Sequence, residues 1–474
     1  MKNFSFTTND YLILLAYFVA VLVIGFKTKK TENSAKDYIL AGRTLTLPAF
    51  VATLVSTFYG GILGVGEFSF RYGLSGWFLY AVPYYFFIII FAFTLSSKIR
   101  KTHLYTIPDQ LDKVYGKKVA VFGGILIFLL STPAPYLFMM GILLSGIFTL
   151  GVTFSMIITL ALSTLFLYKG GLRSDVRVNI LEFFVMFVGF GIILPFCFNS
   201  FGGFEYIASR LPENYLTLTG GNSFQYIIAW FFIGSWVLID PAFHQRCYAA
   251  QSKKIPKKGV LISLVFWMIF DSMTIIAGLY SKAFFLDELK NPLYSFPAFA
   301  DEILPPIAKG MFFLGMIATI MSTLHSYIFI SSNSFGRDII ARIKNETESQ
   351  KLYNYSGLIA SSILALMLAY LLPSVINIWY TVGTLIIPPL LLSVVTSYSR
   401  KLQVHSKYIF SAMLASFLFS LLSFTISRFY IINGKPALLF GLEPMYPGLI
   451  LGLIIYLIGY FKRKDLITET DYYQ

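Results

Sequence analysis

Long runs of apolar residues, separated by short polar loops, extend along almost the whole chain. A helix that crosses a bilayer needs about 20 predominantly apolar residues, so this pattern predicts an all-α polytopic membrane protein. Thirteen runs qualify, at residues 8–26, 46–69, 74–97, 119–146, 150–168, 178–198, 224–243, 259–281, 307–332, 354–372, 375–398, 408–427 and 445–461. The composition agrees, because 57% of the residues are hydrophobic and only 13% are charged.

Two of the predicted spans contain helix-breaking residues. Gly60, Gly61, Gly64 and Gly66 crowd the second span, and Gly234 and the Asp240-Pro241 pair interrupt the seventh. Paired discontinuities at equivalent places are typical of transporters that are built from inverted repeats and bind their solute near the membrane midplane. Close helix packing is the alternative explanation for the glycines.

The two breaks each open a block of five predicted helices. We therefore predict a five-plus-five inverted repeat, with the first repeat at 46–223 and the second at 224–400. Residues 1–45 would form a peripheral first helix and a cytoplasmic loop, and 401–474 two peripheral helices and a short cytoplasmic tail. This division follows from spacing alone.

The net charge of +14 has an explanation that does not involve nucleic acid. Most of the 37 Lys and Arg residues lie in alternate loops, among them 27–43, 98–118 and 246–258. Cytoplasmic loops carry such an excess, which predicts an outside N-terminus and a cytoplasmic C-terminus in the inner (plasma) membrane. The expected partners are the lipid bilayer and a small-molecule solute, and the sequence does not indicate an oligomeric state.

The sequence does not suggest an enzyme. It has no Gly-x-x-x-x-Gly-Lys phosphate loop, and its four His and two Cys residues form no metal-binding motif. A channel is a possible alternative, since broken helices and internal polar faces also occur in channels. The paired breaks favour a carrier.

The ninth predicted span carries hydroxyl groups on one face. Thr319, Ser322 and Thr323 are spaced i, i+3 and i+4, so their side chains point the same way. Polar groups in a bilayer are costly and usually face a partner or a water-lined cavity. Since oxygen atoms are the ligands that a hard cation prefers, the cluster favours an ion site. For any single hydroxyl, a hydrogen bond between helices is the alternative.

Motifs along nearly the whole chain resemble the sodium/solute symporter family, which includes sodium/proline and sodium/glucose cotransporters. They are DYILAGR at 37–43, GG-L-R at 170–173, QRCYAA at 245–250, IWYTVGTLIIPPLL at 378–391 and MSTL…SS-x-S-x-x-RD at 321–338. The resemblance implies a leucine-transporter-type fold and sodium-coupled uptake of a small solute by alternating access.

The same resemblance implies a set of sodium ligands. The site would use the hydroxyls of Ser322 and Thr323 and the carbonyl of Thr319. The broken second span would add the carbonyls of Ser56 and Tyr59.

One position departs from the family pattern. Asn179 stands where many members carry an aspartate behind the sodium site. Because an amide supplies no negative charge, Na+ is the expected coupling ion but H+ is not excluded. Glu182, one turn further on, either compensates for the missing charge or simply faces other helices.

Candidate solute-binding residues lie at the breaks and at midplane depth. They are Gly60, Gly61, Ile62, Trp236, Trp267 and Asp271. Asp271 lies one helical turn beyond Trp267, and an intramembrane carboxylate is a functional hypothesis by default. An amino acid or another amine-bearing solute is the first expectation, and a monocarboxylate or other organic solute carried with sodium or protons is the alternative. The apolar Ile62-Leu63 pair disfavours a sugar, because the sugar carriers have Glu-Gln there.

Three further polar residues have less specific interpretations. Asp240 either pairs with Arg246 as part of an inner gate or is an ordinary carboxylate at the membrane interface. Glu67 and Arg71 are spaced i and i+4 near the outer end of the second span, which predicts a helical salt bridge, with a role in the outer vestibule as the functional alternative.

Overall fold

The computed structural model describes residues 3–27, 35–346, 350–432 and 435–463, and over these residues the chain is almost entirely helical. The first half contains α1 (Thr8–Phe26), α2 (Ala35–Leu40), α3 (Leu47–Phe58), α4 (Ile62–Tyr72), α5 (Leu74–Tyr80), α6 (Val82–Thr94), α7 (Ser96–Lys101), α8 (Ile107–Tyr115), α9 (Lys117–Leu130), α10 (Ala134–Phe148), α11 (Val152–Phe201) and α12 (Phe204–Arg210). The second half contains α13 (Phe224–Gly234), α14 (Pro241–Ala249), α15 (Ile255–Phe285), α16 (Ser295–Ile303), α17 (Ala308–Asn333), α18 (Arg342–Lys344), α19 (Gln350–Leu371), α20 (Val375–Ser397), α21 (Ser406–Phe429) and α22 (Met445–Phe461). A two-residue antiparallel pair, β1 (Ile431–Ile432) and β2 (Lys435–Pro436), precedes α22.

The helices have the length and composition of a polytopic membrane protein. In the described part of the chain, nine helices are long and apolar enough to span a bilayer, and the bent pair α3–α4 makes a tenth. Three shorter apolar helices, Val152–Thr164, Tyr355–Leu371 and Met445–Phe461, fall where other spans were predicted. The all-α membrane fold is confirmed, whereas the count of thirteen spans remains a prediction. The predicted tail at 464–474 lies outside the described residues.

The second span is broken where the glycines predict it. Helices α3 and α4 meet at an angle of 55°, with Tyr59 and the two following glycines between them. A Cβ atom on Gly60 would lie 2.0 Å from the Thr323 hydroxyl, and one on Gly61 would lie 2.1 Å from the Trp379 ring. The break therefore needs glycine because two other helices approach its backbone closely.

The seventh span is also interrupted. Helix α13 ends at Gly234, a 3-10 turn covers Ser235–Leu238, and α14 begins at Pro241. Asp240 caps α14 by accepting hydrogen bonds from the backbone N–H groups of Ala242 and Phe243. Proline at the first position of a helix costs no hydrogen bond, so the Asp-Pro pair restarts the helix.

Helix α17 lies at the centre of the bundle, and the whole of its most apolar stretch is buried. It packs along α11, where Gly189 and Gly315 approach so closely that a Cβ on Gly189 would lie 2.5 Å from the Gly315 Cα. It also contacts α1, α3 and α10. Its hydroxyl face is therefore directed at protein, not at lipid.

Helices at the edge of the bundle expose apolar side chains instead. On α1, Leu12, Leu15 and Val19 are each more than half exposed, and Leu418 and Leu422 on α21 are half exposed. Apolar surface of this kind suits contact with lipid tails.

Candidate functional site

Hydroxyl groups of α17 meet the end of α3. Ser322 Oγ lies 2.9 Å from the carbonyl oxygens of both Ser56 and Thr319, and Thr323 Oγ1 lies 3.3 Å from the Ser56 carbonyl oxygen. Thr319 donates its own hydroxyl to the Gly315 carbonyl at 2.6 Å, so it is the backbone carbonyl of Thr319 that contacts Ser322. We call Ser56, Thr319, Ser322 and Thr323 the hydroxyl cluster. All four are fully buried.

The end of α3 explains why a carbonyl is available to this cluster. The last four carbonyl groups of a helix have no partner within the helix, and Ser56 is among them because α3 ends at Phe58. Tyr59 follows as the capping residue, with its carbonyl also beyond the last turn. The structure thus brings four of the five predicted sodium ligands into contact and places Tyr59 at the adjoining break.

A buried group of charged and polar side chains lies one helical turn further along α17. Arg246 and Asp175 form an ion pair at 2.9 Å in which both side chains are 0% exposed. Ser326 Oγ lies 2.9 Å from both carboxylate oxygens of Asp175, and Asn179 Nδ2 lies 3.2 Å from one of them. Sequence reasoning noted Asn179 and missed Asp175, which lies one turn earlier on α11. The i, i+4 spacing of the two residues was the available signal.

Glu182 turns away from this group. Its carboxylate accepts a hydrogen bond from the Tyr17 hydroxyl at 2.8 Å and lies 4.0 Å from His325 Nδ1. The prediction that it faces other helices fits this position, because Tyr17 belongs to α1.

An aromatic cavity lies on the other side of the break. It is lined by Phe58, Tyr59, Gly61, Val65, Tyr80, Ala81, Tyr84, Tyr85, Ile88, Tyr136, Trp230, Trp236, Asp240, Trp267, Asp271, Tyr327 and Trp379. None of these lining residues is Lys, Arg or His. A mostly apolar, aromatic lining with a few polar groups is typical of small-molecule sites.

The predicted solute-binding residues divide between the two regions. Gly61, Trp236, Trp267 and Asp271 line the aromatic cavity. Gly60 contacts Thr323 of the hydroxyl cluster instead. Ile62 is fully buried and is not part of the cavity lining, because its side chain packs in the core at the start of α4.

Asp271 is the polar centre of the cavity. Its carboxylate accepts hydrogen bonds from the hydroxyls of Tyr59 and Tyr85, and from that of Tyr80 at 3.2 Å. Tyr59 also contacts Thr274 Oγ1 at 3.0 Å. Three donors from the two neighbouring spans therefore fix the orientation of this carboxylate, and sequence spacing gave no sign of them.

Two other predicted residues have well-defined places. Trp267 donates its indole N–H to the Val55 carbonyl at 3.2 Å, and its ring lies 5.0 Å from that of Phe58. Asp240 accepts the Tyr327 hydroxyl at 2.7 Å. It is fully buried, which corrects the expectation of an interfacial carboxylate, and Arg246 has its ion pair with Asp175 instead.

The salt bridge predicted within α4 is confirmed. Arg71 Nε lies 3.0 Å from the Glu67 carboxylate, and the arginine side chain is 49% exposed. Glu67 is not among the cavity-lining residues.

Comparison with known proteins identifies the family. Residues 38–398 match the model of the Sodium:solute symporter family. The chain belongs to this family. It is therefore a membrane transporter and not an enzyme, and sodium is its coupling ion.

Individual relatives agree with this assignment. The chain is 26% identical to the sodium/pantothenate symporter of Haemophilus influenzae, over 97% of each chain. It is 22% identical to the high affinity choline transporter 1 of Homo sapiens, over 81% of this chain and 71% of that one. The fold is similar to a solved structure of a Na+-coupled sialic acid symporter, with a TM-score of 0.78, 15% identity and coverage of 96% and 97%.

Proposed function

We propose that this symporter carries a small amine-bearing organic solute together with sodium, by alternating access. The observation that carries this proposal is the carboxylate of Asp271 in an aromatic cavity whose lining contains no basic residue. A positive charge on the solute would complement Asp271 and Asp240. The indole and phenol rings around it would add cation–π attraction, which is strongest for tryptophan.

The hydroxyl cluster is the proposed sodium site. Its ligands are the hydroxyls of Ser322 and Thr323 and the carbonyls of Thr319, Ser56 and Tyr59. Support comes from the hydroxyls of Ser322 and Thr323, which both lie within 3.3 Å of the Ser56 carbonyl oxygen, and from the Thr319 carbonyl oxygen 2.9 Å from Ser322 Oγ, all in fully buried residues. Hard oxygen donors in such an arrangement suit a small cation.

The break at 59–61 provides a physical link between ion and solute. Gly60 lies against Thr323, whereas Tyr59 and Gly61 line the aromatic cavity. Sodium binding at the end of α3 would fix the backbone of the break, and with it the Tyr59 hydroxyl that holds Asp271. Because coupling between two sites is reciprocal, a solute that orders the break also raises the affinity for sodium.

The proposal also covers the arrangement of the helices in the membrane. Two inverted repeats, at 46–223 and 224–400, would each open with a broken helix, and the protein would lie in the plasma membrane with its N-terminus outside. The interruptions at 59–61 and 235–240 support this arrangement.

A monocarboxylate is the second candidate solute. The relative with 26% identity over almost the whole length is a pantothenate symporter, and pantothenate is a carboxylate. The absence of basic residues from the described cavity lining argues against an anion, since a buried negative charge requires a partner.

A binding screen distinguishes the two candidates. We expect the purified protein to gain thermal stability with choline or another organic cation in sodium chloride, and to gain much less in potassium chloride, because a bound ligand stabilises the folded state. Pantothenate, proline and glucose are tested in parallel. Stabilisation by pantothenate alone would replace the cation with the monocarboxylate. Asp271→Asn should abolish the response to the cation, and Glu67→Gln is the matched control outside the cavity.

A further inference from the structure

Exposed lysines lie together on the predicted cytoplasmic side, where the end of α6, α7 and the start of α15 meet. Two contacts hold these segments side by side. Lys257 Nζ lies 4.1 Å from the centre of the Phe93 ring, and Ser97 Oγ donates a hydrogen bond to the Lys253 carbonyl at 3.2 Å. We call the exposed lysines of these segments the lysine cluster, which consists of Lys98, Lys101, Lys253, Lys254, Lys257 and Lys258.

The lysine cluster has no carboxylate to balance its charge. Residues 82–108 and 241–270, which contain the cluster, include no Asp or Glu. Over the residues that the structure describes, none of the six lysines forms a salt bridge. Other basic residues on this side are paired, since Arg337 and Arg342 each lie within 2.9 Å of the Asp109 carboxylate. The lysine cluster therefore presents an uncompensated positive charge, which attracts an anion.

The start of α15 adds to this positive potential. Lys254 is the N-cap residue of α15, and its side chain makes no capping hydrogen bond. The N–H groups of the first helical turn have no partner within the helix and carry a partial positive charge, so an anionic group is stabilised beside them.

Rows of exposed apolar side chains continue from the lysine cluster toward the middle of the spans. On α15 they follow Lys258 by four, seven and eleven positions and so share its face of the helix; they are Ile262, Val265 and Ile269. On α6 a second row is spaced by three and four positions; it consists of Phe86, Ile89 and Phe93. The contact between Lys257 and Phe93 brings the two rows together at their polar ends. A nucleic acid or an acidic soluble protein would match the charge but not the apolar rows.

We propose that an anionic phospholipid binds at this place, with its phosphate among the lysines and its acyl chains along the apolar rows of α6 and α15. Clusters of roughly four to eight basic residues beside a membrane helix are typical of sites for anionic headgroups. Lysine suits such a site because its charged end reaches the headgroup while its methylene groups cover apolar surface. The lipid site is separate from the hydroxyl cluster and from the aromatic cavity, so it requires neither sodium nor the solute.

Native mass spectrometry of the full-length protein, titrated in detergent with phosphatidylglycerol or with phosphatidylcholine, tests this proposal. The dissociation constant of the first bound lipid is measured. We expect the wild type to bind phosphatidylglycerol more tightly than phosphatidylcholine. The triple variant Lys98→Gln/Lys254→Gln/Lys257→Gln should bind phosphatidylglycerol roughly 100-fold more weakly, because each lysine near an anionic surface contributes roughly fivefold. Its affinity for phosphatidylcholine should stay the same.

A matched control removes three exposed lysines from another part of the same predicted side. The variant Lys113→Gln/Lys117→Gln/Lys118→Gln changes the net charge by the same amount. It should bind phosphatidylglycerol as the wild type does.

Three results would overturn the proposal. Equal weakening in both triple variants would assign the attraction to the net charge and not to the lysine cluster. Equal affinity of the wild type for the two lipids would show that its positive charge does not select a headgroup. Displacement of the lipid by an equal concentration of glycerol 3-phosphate would make the cluster a site for soluble anions. Size-exclusion chromatography checks that the variants fold, and if they do not, the wild-type comparison of the two lipids still decides the matter.

Discussion

The hydroxyl cluster and the aromatic cavity share the break at 59–61, yet they are built in opposite ways. The hydroxyl cluster is fully buried, and its hydroxyls and carbonyls come from two adjacent helices and contact one another at 2.9 to 3.3 Å. The cavity takes its lining from the side chains of many spans. A small ion needs ligands fixed in advance, whereas an organic solute needs a volume whose shape and polarity select it. The comparison explains why the ion is easier to infer than the solute.

The largest expected effect concerns the buried charges behind the hydroxyl cluster. Asp175→Asn should lower the free energy of unfolding by about 3–5 kcal/mol, because it leaves the Arg246 guanidinium buried without its counter-charge. Asp37→Asn, which removes the partly exposed pair with Arg173, should cost about 0–1 kcal/mol. Thermal or denaturant unfolding in detergent measures both. Equal losses would mean that burial of the pair has no special energetic weight.

The second-largest expected effect concerns the hydroxyl cluster, where substitutions should change the response to sodium. Ser322→Ala and Thr323→Ala should each raise the sodium concentration for half-maximal uptake by roughly 10- to 100-fold, since a hydrogen bond or ligand to a charged group is worth about 1.5–3 kcal/mol. Ser331 is a buried serine on the same helix, so Ser331→Ala is the control and should leave the sodium concentration for half-maximal uptake unchanged. An unchanged sodium dependence in both cluster variants would remove these hydroxyls from the site.

The third effect belongs to the cavity. Asp271→Asn should weaken binding of a cationic solute by about tenfold or more, because a buried charge pair contributes at least about 1.5 kcal/mol. The sodium dependence measured at saturating solute should move much less. Isothermal titration calorimetry or a thermal-shift titration reports the affinity. If the cation binds Asp271→Asn as tightly as the wild type, Asp271 serves only to hold its three tyrosines.

The smallest expected effect concerns the aromatic lining of the cavity. Trp236→Leu should reduce affinity for a quaternary amine by roughly two- to fivefold, in line with a cation–π contribution of about 0.5–1 kcal/mol. Affinity for a neutral solute of the same shape should fall less. The same loss for the charged and the neutral compound would assign Trp236 to packing alone.

Local sequence features predict the parts of the structure that depend on local chemistry. Four glycines in seven positions predict the break between α3 and α4, because few other residues permit such close approach of Thr323 and Trp379. The i, i+3, i+4 hydroxyls of α17 predict one polar face, and two of them, on Ser322 and Thr323, lie within 3.3 Å of the Ser56 carbonyl oxygen. Motif resemblance then connects that face with Ser56, which periodicity alone does not do.

Long-range pairing is the part that the sequence does not reveal. Asp175 and Arg246 are 71 positions apart, and nothing in either segment shows that the two side chains meet. Asp271 appeared available to an amine, but tyrosines 186 to 212 positions away already donate to it. Asp240 appeared interfacial because Pro241 and a basic loop follow it, whereas it is buried as the cap of α14.

The most direct test of the central claim is uptake into proteoliposomes under an imposed ion gradient, comparing the wild type with the Ser322→Ala/Thr323→Ala double variant and using radiolabelled choline as the first probe. An inward sodium gradient should drive accumulation by the wild type, an equal potassium gradient should not, and the double variant should lose the sodium-driven component. Accumulation that follows a proton gradient without sodium, or that survives unchanged in the double variant, would contradict the account.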